Sequence, residues 1–323
     1  MLNRVVGAGT MPSGSLTEIS ELTDGEIFQI FDRASHFRSM EEDGQRFTSS
    51  LDSAVVATLF FEGSTRTRLS FTMAGERLGA KVIDLAVIAS SVSKGESLKD
   101  TCNTVAYSGA DAIVVRHQSE GAPRMVSQWT GLPVINGGDG CHEHPTQALS
   151  DAYSLARRFG SVEDLANRRV AIVGDILHSR VARSLCSLLP RLGMEVVLVG
   201  PHALMVPRAS ALSADVSYEL DEVLSEVDVV YLLRIQRERI HGEAGVDGSS
   251  YRRRFQLDQR RLSEMRPDGL VMHPGPVNHG VELGVTLPDE RSLISEQVRN
   301  GVLIRMAVFE RAFGLDVKGG AVV

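Results

Sequence analysis

Ala54-Val55-Val56-Ala57-Thr58-Leu59-Phe60-Phe61-Glu62-Gly63-Ser64-Thr65-Arg66-Thr67-Arg68-Leu69-Ser70-Phe71 is the stretch that decides the fold. Residues 54–61 form an apolar run broken only by Thr58. A half-exposed strand alternates apolar and polar residues, whereas a strand covered on both faces reads as a continuous apolar run. Glu62-Gly63 ends the run, and a helical pattern begins at once, with Ser64, Thr65 and Thr67 interleaved with Arg66 and Arg68. A buried strand leading directly into a helix is the repeating unit of a parallel α/β sheet.

The same alternation extends both ways. A helical pattern over 16–40 precedes the run. Strands follow over 81–85, 111–115 and 133–136, with helices over 67–78, 96–107, 122–129 and 144–158. Residues 158–169 are polar and read as a junction. The pattern then restarts with strands over 169–174, 195–200, 228–232 and 269–272, a helix over 179–192 and a closing helix over 292–313. The expected fold is therefore α/β, with two doubly wound parallel-sheet domains, helices on both faces and an active-site cleft between them. In such sheets ligands sit beyond the carboxyl ends of the strands.

Composition narrows the function. The 323 residues are 43% hydrophobic and 23% charged, enough for two domains with full cores. The longest apolar run is far short of the ~20 residues a membrane span needs. Residues 1–14 lack a basic segment followed by an apolar block, so no secretory signal is expected. Three scattered cysteines, Cys102, Cys141 and Cys186, suit a reducing cytoplasm rather than a disulfide scaffold. A net charge of −7 argues against a general nucleic-acid or anionic-membrane binder, while leaving room for a local cluster of arginines. Of the 34 basic residues only Lys81, Lys94, Lys99 and Lys318 are lysines, so a lysine in a motif stands out.

Residues 62–68 carry the strongest chemical signal. Free N–H groups and the dipole at a helix start favour an anion. Hydroxyls add donors, and an arginine fork matches phosphate oxygens. Plain N-capping by Ser64 or Thr65 would use one hydroxyl, not three beside two arginines. No Gly-x-x-x-x-Gly-Lys-Ser/Thr occurs, and no Gly-x-Gly-x-x-Gly follows either unit's first strand. The anion thus fits the phosphate of a small metabolite better than that of a nucleotide.

Other candidates follow strands in the same way. Arg116 comes after the strand over 111–115, where it faces the cleft or pairs on the rim with Glu120. In Gly137-Gly138-Asp139-Gly140-Cys141-His142-Glu143-His144-Pro145-Thr146-Gln147, Pro145 suits a first helical position. His144 and Gln147 then share one helix face, or serve as a cap and a solvated side chain. Four consecutive residues, Cys141 to His144, cannot all turn toward one ion, so neither a metal nor a cofactor is expected. Arg180 opens the matching helix of the second unit, behind a capping Ser179. Arg234 and Gln236, two apart in extended chain, point to one side. They bracket a carboxylate or form salt bridges with Glu238 and Glu243. His273-Pro274-Gly275-Pro276-Val277-Asn278-His279-Gly280 is either a rigid loop presenting backbone groups or a plain turn. Ser90-Ser91-Val92-Ser93-Lys94-Gly95 reads, on its own, as a surface loop.

Taken together, these stretches resemble the aspartate carbamoyltransferase family over essentially the whole chain. Ser64-Thr65-Arg66-Thr67-Arg68 and His144-Pro145-Thr146-Gln147 mark carbamoyltransferases generally. Arg234-x-Gln236 and His273-Pro274-Gly275-Pro276 mark the aspartate branch; the ornithine branch carries a His-Cys-Leu-Pro loop instead. The resemblance implies transfer of the carbamoyl group of carbamoyl phosphate to L-aspartate, giving N-carbamoyl-L-aspartate and phosphate, in pyrimidine synthesis. It implies a carbamoyl-phosphate cradle of Ser64, Thr65, Arg66, Thr67 and Arg116. His144, with Thr67 and Arg116, would polarise the carbamoyl oxygen, and Gln147 would hold the carbamoyl nitrogen. Arg180, Arg234 and Gln236 would take the carboxylates of aspartate, and Gly275 and Pro276 would offer backbone carbonyls. Ser90 and Lys94 resemble a loop donated by a neighbouring subunit, which implies a homotrimer. A carbamoyl-phosphate domain is expected over 1–152 with 303–323, and an aspartate domain over 153–302. The resemblance leaves open a regulatory chain or a dihydroorotase as partner.

The chain departs from the family pattern at Gly63 (usually Pro or Ala), Ser150 (often Leu) and His279 (often Arg). The reaction suits this residue set without the resemblance. An amine attacks a carbamoyl carbon, an oxyanion forms and phosphate leaves, which needs placed cations and donors more than a protein nucleophile. The alternatives are transfer to ornithine or an N-acylated relative, an oxidoreductase lacking the glycine fingerprint, and an inactive scaffold.

Overall fold

The structure, a computed structural model, describes residues 11–85, 96–207, 212–235 and 248–315. Ser90, Lys94 and Gln236 lie outside the described residues. The chain divides into two compact units, Met1–Leu149 with Val298–Val323, and Ser150–Gln297.

The first unit is built on a parallel sheet of order β2-β1-β3-β4, from β1 (Val55–Phe60), β2 (Lys81–Leu85), β3 (Ala112–His117) and β4 (Val134–Asp139). Helices α1 (Asp24–Glu42), α2 (Thr65–Arg77), α3 (Leu98–Tyr107) and α4 (Ala122–Thr130) join or flank these strands. Val56, Ala57, Leu59 and Phe60 of the central strand β1 are buried, as its apolar run requires. Helix α5 (Pro145–Phe159) follows β4.

The second unit holds a five-stranded parallel sheet of order β7-β6-β5-β8-β9. Its strands are β5 (Arg169–Val173), β6 (Glu195–Val199), β7 (Asp215–Ser217), β8 (Val229–Leu232) and β9 (Leu270–Met272). Helix α6 (Arg180–Leu188) follows β5, and α7 (Gly248–Phe255) and α8 (Gln259–Glu264) precede β9; α9 (Ile294–Ala312), the last described helix, belongs from Val298 onward to the first unit. Two parallel sheets with helices are the α/β architecture expected from the sequence.

Several boundaries differ. The first helix starts at Asp24, not near residue 16. Leu16 instead pairs with β4: its N–H donates to Val134 O and its carbonyl accepts from Asn136 N–H, both at 2.9 Å. The helix begins where Thr23 caps Glu26 N–H at 3.2 Å and the Glu26 carboxylate returns to Thr23 N–H at 2.9 Å, a reciprocal cap that fixes the first turn. The helix expected over 179–192 ends at Leu188 and tightens into a 3-10 turn, Leu189–Leu192. Pro190 lacks the N–H that an α-helix would need there. Strand β7 escapes a periodicity argument because it is three residues long and largely exposed. Helices α7 and α8 are short: α7 buries the pair Tyr251 and Phe255 and α8 buries Leu262, too few apolar positions to set a helical period.

Candidate active site

In the first unit the register brings the candidate anion ligands together. Phe60 of β1 stands beside Arg116 of β3, and Phe61 N–H donates to Arg116 O at 2.9 Å. The turn into α2 is thus attached directly to the strand that carries Arg116. Arg116 lies inside β3 rather than beyond it, where the β3–β4 register shifts between Val115 and His117. Its Nη1 donates to Gly137 O at 3.1 Å, and its Nε lies 3.3 Å from Glu62 Oε2.

Ser64 is the N-cap of α2, in extended conformation, but its side chain makes no capping bond. Thr23, Ser97, Ser179 and Asp258 do cap their helices through their side chains. Helix α2 also has no acidic residue in its first turn. Its positive end is therefore met neither by the Ser64 hydroxyl nor by an acidic residue of its own first turn. Thr65 and Arg66 are exposed and Thr67 is buried. Arg68 is engaged elsewhere: its guanidinium lies 5.3 Å from the Phe60 ring, and its Nε is 3.5 Å from Asp84. Arg66 is left as the exposed cation of this turn.

His144 directly precedes α5 and is 4% exposed. Its carbonyl accepts from Gln147 N–H at 3.0 Å and Ala148 N–H at 3.3 Å, which puts Pro145 at the first helical position. Gln147 is half-buried. The loop ahead of His144 is organised by Asp139, whose role sequence reasoning missed. Its carboxylate, 1% exposed, accepts from Gly121 N–H at 2.6 Å, Asn136 Nδ2 at 2.8 Å and Glu143 N–H at 3.1 Å. His142 Nδ1 lies 3.1 Å from the other Asp139 oxygen, so His142 is turned to this loop carboxylate. Asn136 Oδ1 accepts from Gly138 N–H at 2.7 Å. The available signal was an Asp among three glycines, a common way to satisfy turn N–H groups. Nearby, burial lowers the His117 pKa against the opposing pull of Glu62 and Asp139.

In the second unit Arg180 is the first residue of α6 and is half-buried. Ser179 caps the helix, accepting from Ala182 N–H at 3.1 Å. Asp175, 3% exposed, holds the preceding turn by accepting from His178 N–H at 3.2 Å, with His178 Nδ1 at 2.8 Å. Arg234 is exposed two residues beyond β8, between buried Leu233 and Ile235. Gly275 and Pro276 sit in the loop after β9. Gly275 has φ +68°, a left-handed conformation natural to glycine, and donates its N–H to His273 Nδ1 at 2.7 Å. The 273–280 stretch is therefore a braced loop.

Comparison with known proteins also divides the chain in two, although the second match runs on through residues 298–312, which belong to the first compact unit. The model of the aspartate/ornithine carbamoyltransferase carbamoyl-P binding domain matches residues 15–157, and that of the Asp/Orn binding domain matches 166–312. An aspartate carbamoyltransferase catalytic subunit from Thermobifida fusca is 47% identical over 300 residues, covering 93% of this chain and 95% of that one. The chain belongs to the aspartate carbamoyltransferase family. A relative of the same name from Maricaulis maris is 47% identical over 301 residues, with 93% of each chain covered. Among solved carbamoyltransferases, aspartate transcarbamoylase from Trypanosoma cruzi with N-(phosphonacetyl)-L-aspartic acid is similar at TM-score 0.83 and 32% identity, over 93% of this chain and 95% of that one. The same enzyme with carbamoyl phosphate gives 0.84 at equal identity and coverage.

Two departures from the family pattern have a structural context. A Cβ on Gly63 would meet nothing within 4 Å, so the site tolerates a larger residue without requiring one. Ser150 is fully buried, and its carbonyl accepts from Ser154 Oγ at 2.7 Å. His279 is exposed.

Proposed function

We infer that this carbamoyltransferase chain transfers the carbamoyl group of carbamoyl phosphate to the α-amine of L-aspartate, releasing phosphate and N-carbamoyl-L-aspartate. The observation that carries the reading is the α2 turn. It has a hydroxyl N-cap that does not cap and no acid in its first turn, and it is joined by the register to Arg116. That arrangement suits the phosphate of carbamoyl phosphate, with Ser64, Thr65, Arg66 and Thr67 as donors. His144, Thr67 and Arg116 stabilise the oxyanion that forms as the amine nitrogen bonds to the carbamoyl carbon. The bond from that carbon to the phosphate oxygen then breaks, and the amine gives up a proton. Gln147 holds the carbamoyl nitrogen. Arg180, Arg234 and Gln236 take the two carboxylates, and the Gly275 and Pro276 carbonyls accept from the carbamoyl and amino groups. Catalysis here rests on placement and charge rather than on a covalent intermediate.

In this reading the carbamoyl-phosphate domain is 1–152 with 303–323, and the aspartate domain is 153–302. Ser90 and Lys94 complete the site of a neighbouring copy in a homotrimer. Exposed Leu69 and Met73 on α2 and Ile83 on edge strand β2 support such an interface, since grouped apolar surface marks association sites. Three free thiols support a reducing compartment, the cytoplasm. Among the described residues, no helix is long and apolar enough to cross a membrane.

The test is a side-by-side assay of the purified chain with carbamoyl phosphate and aspartate, ornithine or N-acetylated ornithine. Phosphate and N-carbamoyl-aspartate released in equal amounts, with aspartate alone, is the expected result. Turnover with ornithine or its relative instead would move the chain to the other branch.

A further inference from the structure

The loop after β9 closes on a single buried carboxylate. Gly275 N–H donates to His273 Nδ1 at 2.7 Å, so Nδ1 is the acceptor and Nε2 carries the proton. Nε2 then donates to Glu282 Oε1 at 3.1 Å, and the same oxygen accepts from Asn278 N–H at 2.6 Å. The His273 and Glu282 side chains are both fully buried. Glu282 thus holds the start of the loop through His273 and its far part through the Asn278 backbone.

Asn278 reaches beyond the loop. Its Nδ2 donates to the carbonyl of Ile235 at 2.9 Å, 43 residues away in sequence. Ile235 is fully buried and lies between Arg234 and Gln236. On the other side of Arg234, Leu233 N–H donates to Val173 O at 2.8 Å and so continues the sheet. Arg234 is therefore flanked by two backbone anchors, one from β5 and one from Asn278.

We propose that Asn278 is a positioning residue for the amino-acid substrate, fixing the chain at Arg234–Ile235 and tying it to the loop that carries the Gly275 and Pro276 carbonyls. It touches no substrate itself. The inference rests on the reading that Arg234 binds a carboxylate of aspartate. Its consequence is selective: loss of the Asn278 bond weakens aspartate use and leaves the carbamoyl-phosphate residues of the other unit undisturbed.

The test compares the full-length wild type with Asn278→Asp, which keeps the shape but lacks the donor, and with Asn278→Ala. Both variants should raise the aspartate KM about tenfold, the scale of one lost hydrogen bond. The carbamoyl phosphate KM should change far less, because the loop that carries the Gly275 and Pro276 carbonyls keeps its bonds to His273 and Glu282, and Tm should fall only slightly. Asn278→Gln, which retains a donor, should recover part of the loss. Unchanged aspartate KM, or both KM values rising together with a large fall in Tm, overturns the proposal. Hydrogen exchange at the amides of residues 233–235 gives a readout separate from turnover. Exchange there should be faster in Asn278→Asp while β5 and β8 keep their protection, and unchanged exchange overturns the proposal even if the wild type shows no activity. A wild type inactive with aspartate would instead remove the functional reading.

Discussion

Ser64 and His144, the proposed phosphate ligand and oxyanion donor, are held by the fold in different ways. Ser64 occupies a cap position without using its hydroxyl there, and His144 is buried one residue ahead of a helix fixed by Pro145. Replacing His144 with Ala should lower kcat about 10²–10³-fold, as for loss of an oxyanion donor; steady-state rates at saturating substrates measure this, and an unchanged kcat would remove His144 from the mechanism. Arg234→Ala should raise the aspartate KM with little effect on carbamoyl phosphate. A variant weakened toward carbamoyl phosphate instead would reassign Arg234. Gly63 lies in open space without a left-handed backbone. Gly63→Ala should therefore stabilise the fold by about 0.4–1 kcal/mol through the unfolded chain, read as a higher urea midpoint; a lower midpoint would contradict the open surroundings.

At the scale of elements, the decisive pieces are strand–turn–helix units and the loops that brace them. Asp139 holds the β4–α5 loop through three donors from a nearly fully buried position. Asp139→Ala strands those donors, and it should cost about 3 kcal/mol or more in urea unfolding and lower kcat by loosening His144. A small stability loss with full activity would show that the loop holds without it. Continuous apolar runs made β1, β3, β5 and β8 legible, because a two-sided burial pattern has few alternatives. Clustered hydroxyls and guanidiniums likewise drew attention to the α2 turn. What stayed hidden depends on contacts distant in sequence. Leu16 joins β4 by bonds to residues more than a hundred positions away. Asp139 draws on Gly121 and Asn136, and Glu282 brings together both ends of its loop. No local period encodes such pairings. Edge strand β7 and the short helices α7 and α8 lack the apolar repeat on which reading by period relies.

At the scale of the molecule, each unit carries its own buried thiol. Burial raises the Cys102 thiol from 9.0 to about 12 in the first unit, and Cys186 from 9.0 to about 12 in the second. Between those limits the unfolded chain ionises Cys102 and Cys186 and the folded chain does not, so protons are retained by the native state. Stability should therefore hold below about pH 9 and fall as pH rises toward 12, by about 1.4 kcal/mol per pH unit for each thiol. Urea midpoints measured across that range check this: replacing both cysteines by Ala should flatten the slope between about pH 9 and 10 and make it shallower above, where buried Tyr231 and Tyr251, whose hydroxyls burial also pushes up, contribute a loss of the same sign. A thiol reagent at neutral pH should label the partly exposed Cys141 first, with Cys102 and Cys186 reacting only on unfolding. Immediate labelling of all three would contradict the packing.

The central claim is that separate stretches of this chain supply one set of positive and donor groups for a phosphate-bearing acyl donor and a dicarboxylic amine. A crystal structure of the chain with N-(phosphonacetyl)-L-aspartate tests it most directly. The account predicts the phosphonate at Ser64–Thr67 and Arg116, the acyl oxygen at His144, and the carboxylates at Arg180 and Arg234. Ligand bound elsewhere, with those guanidinium groups turned away from it, would contradict the account.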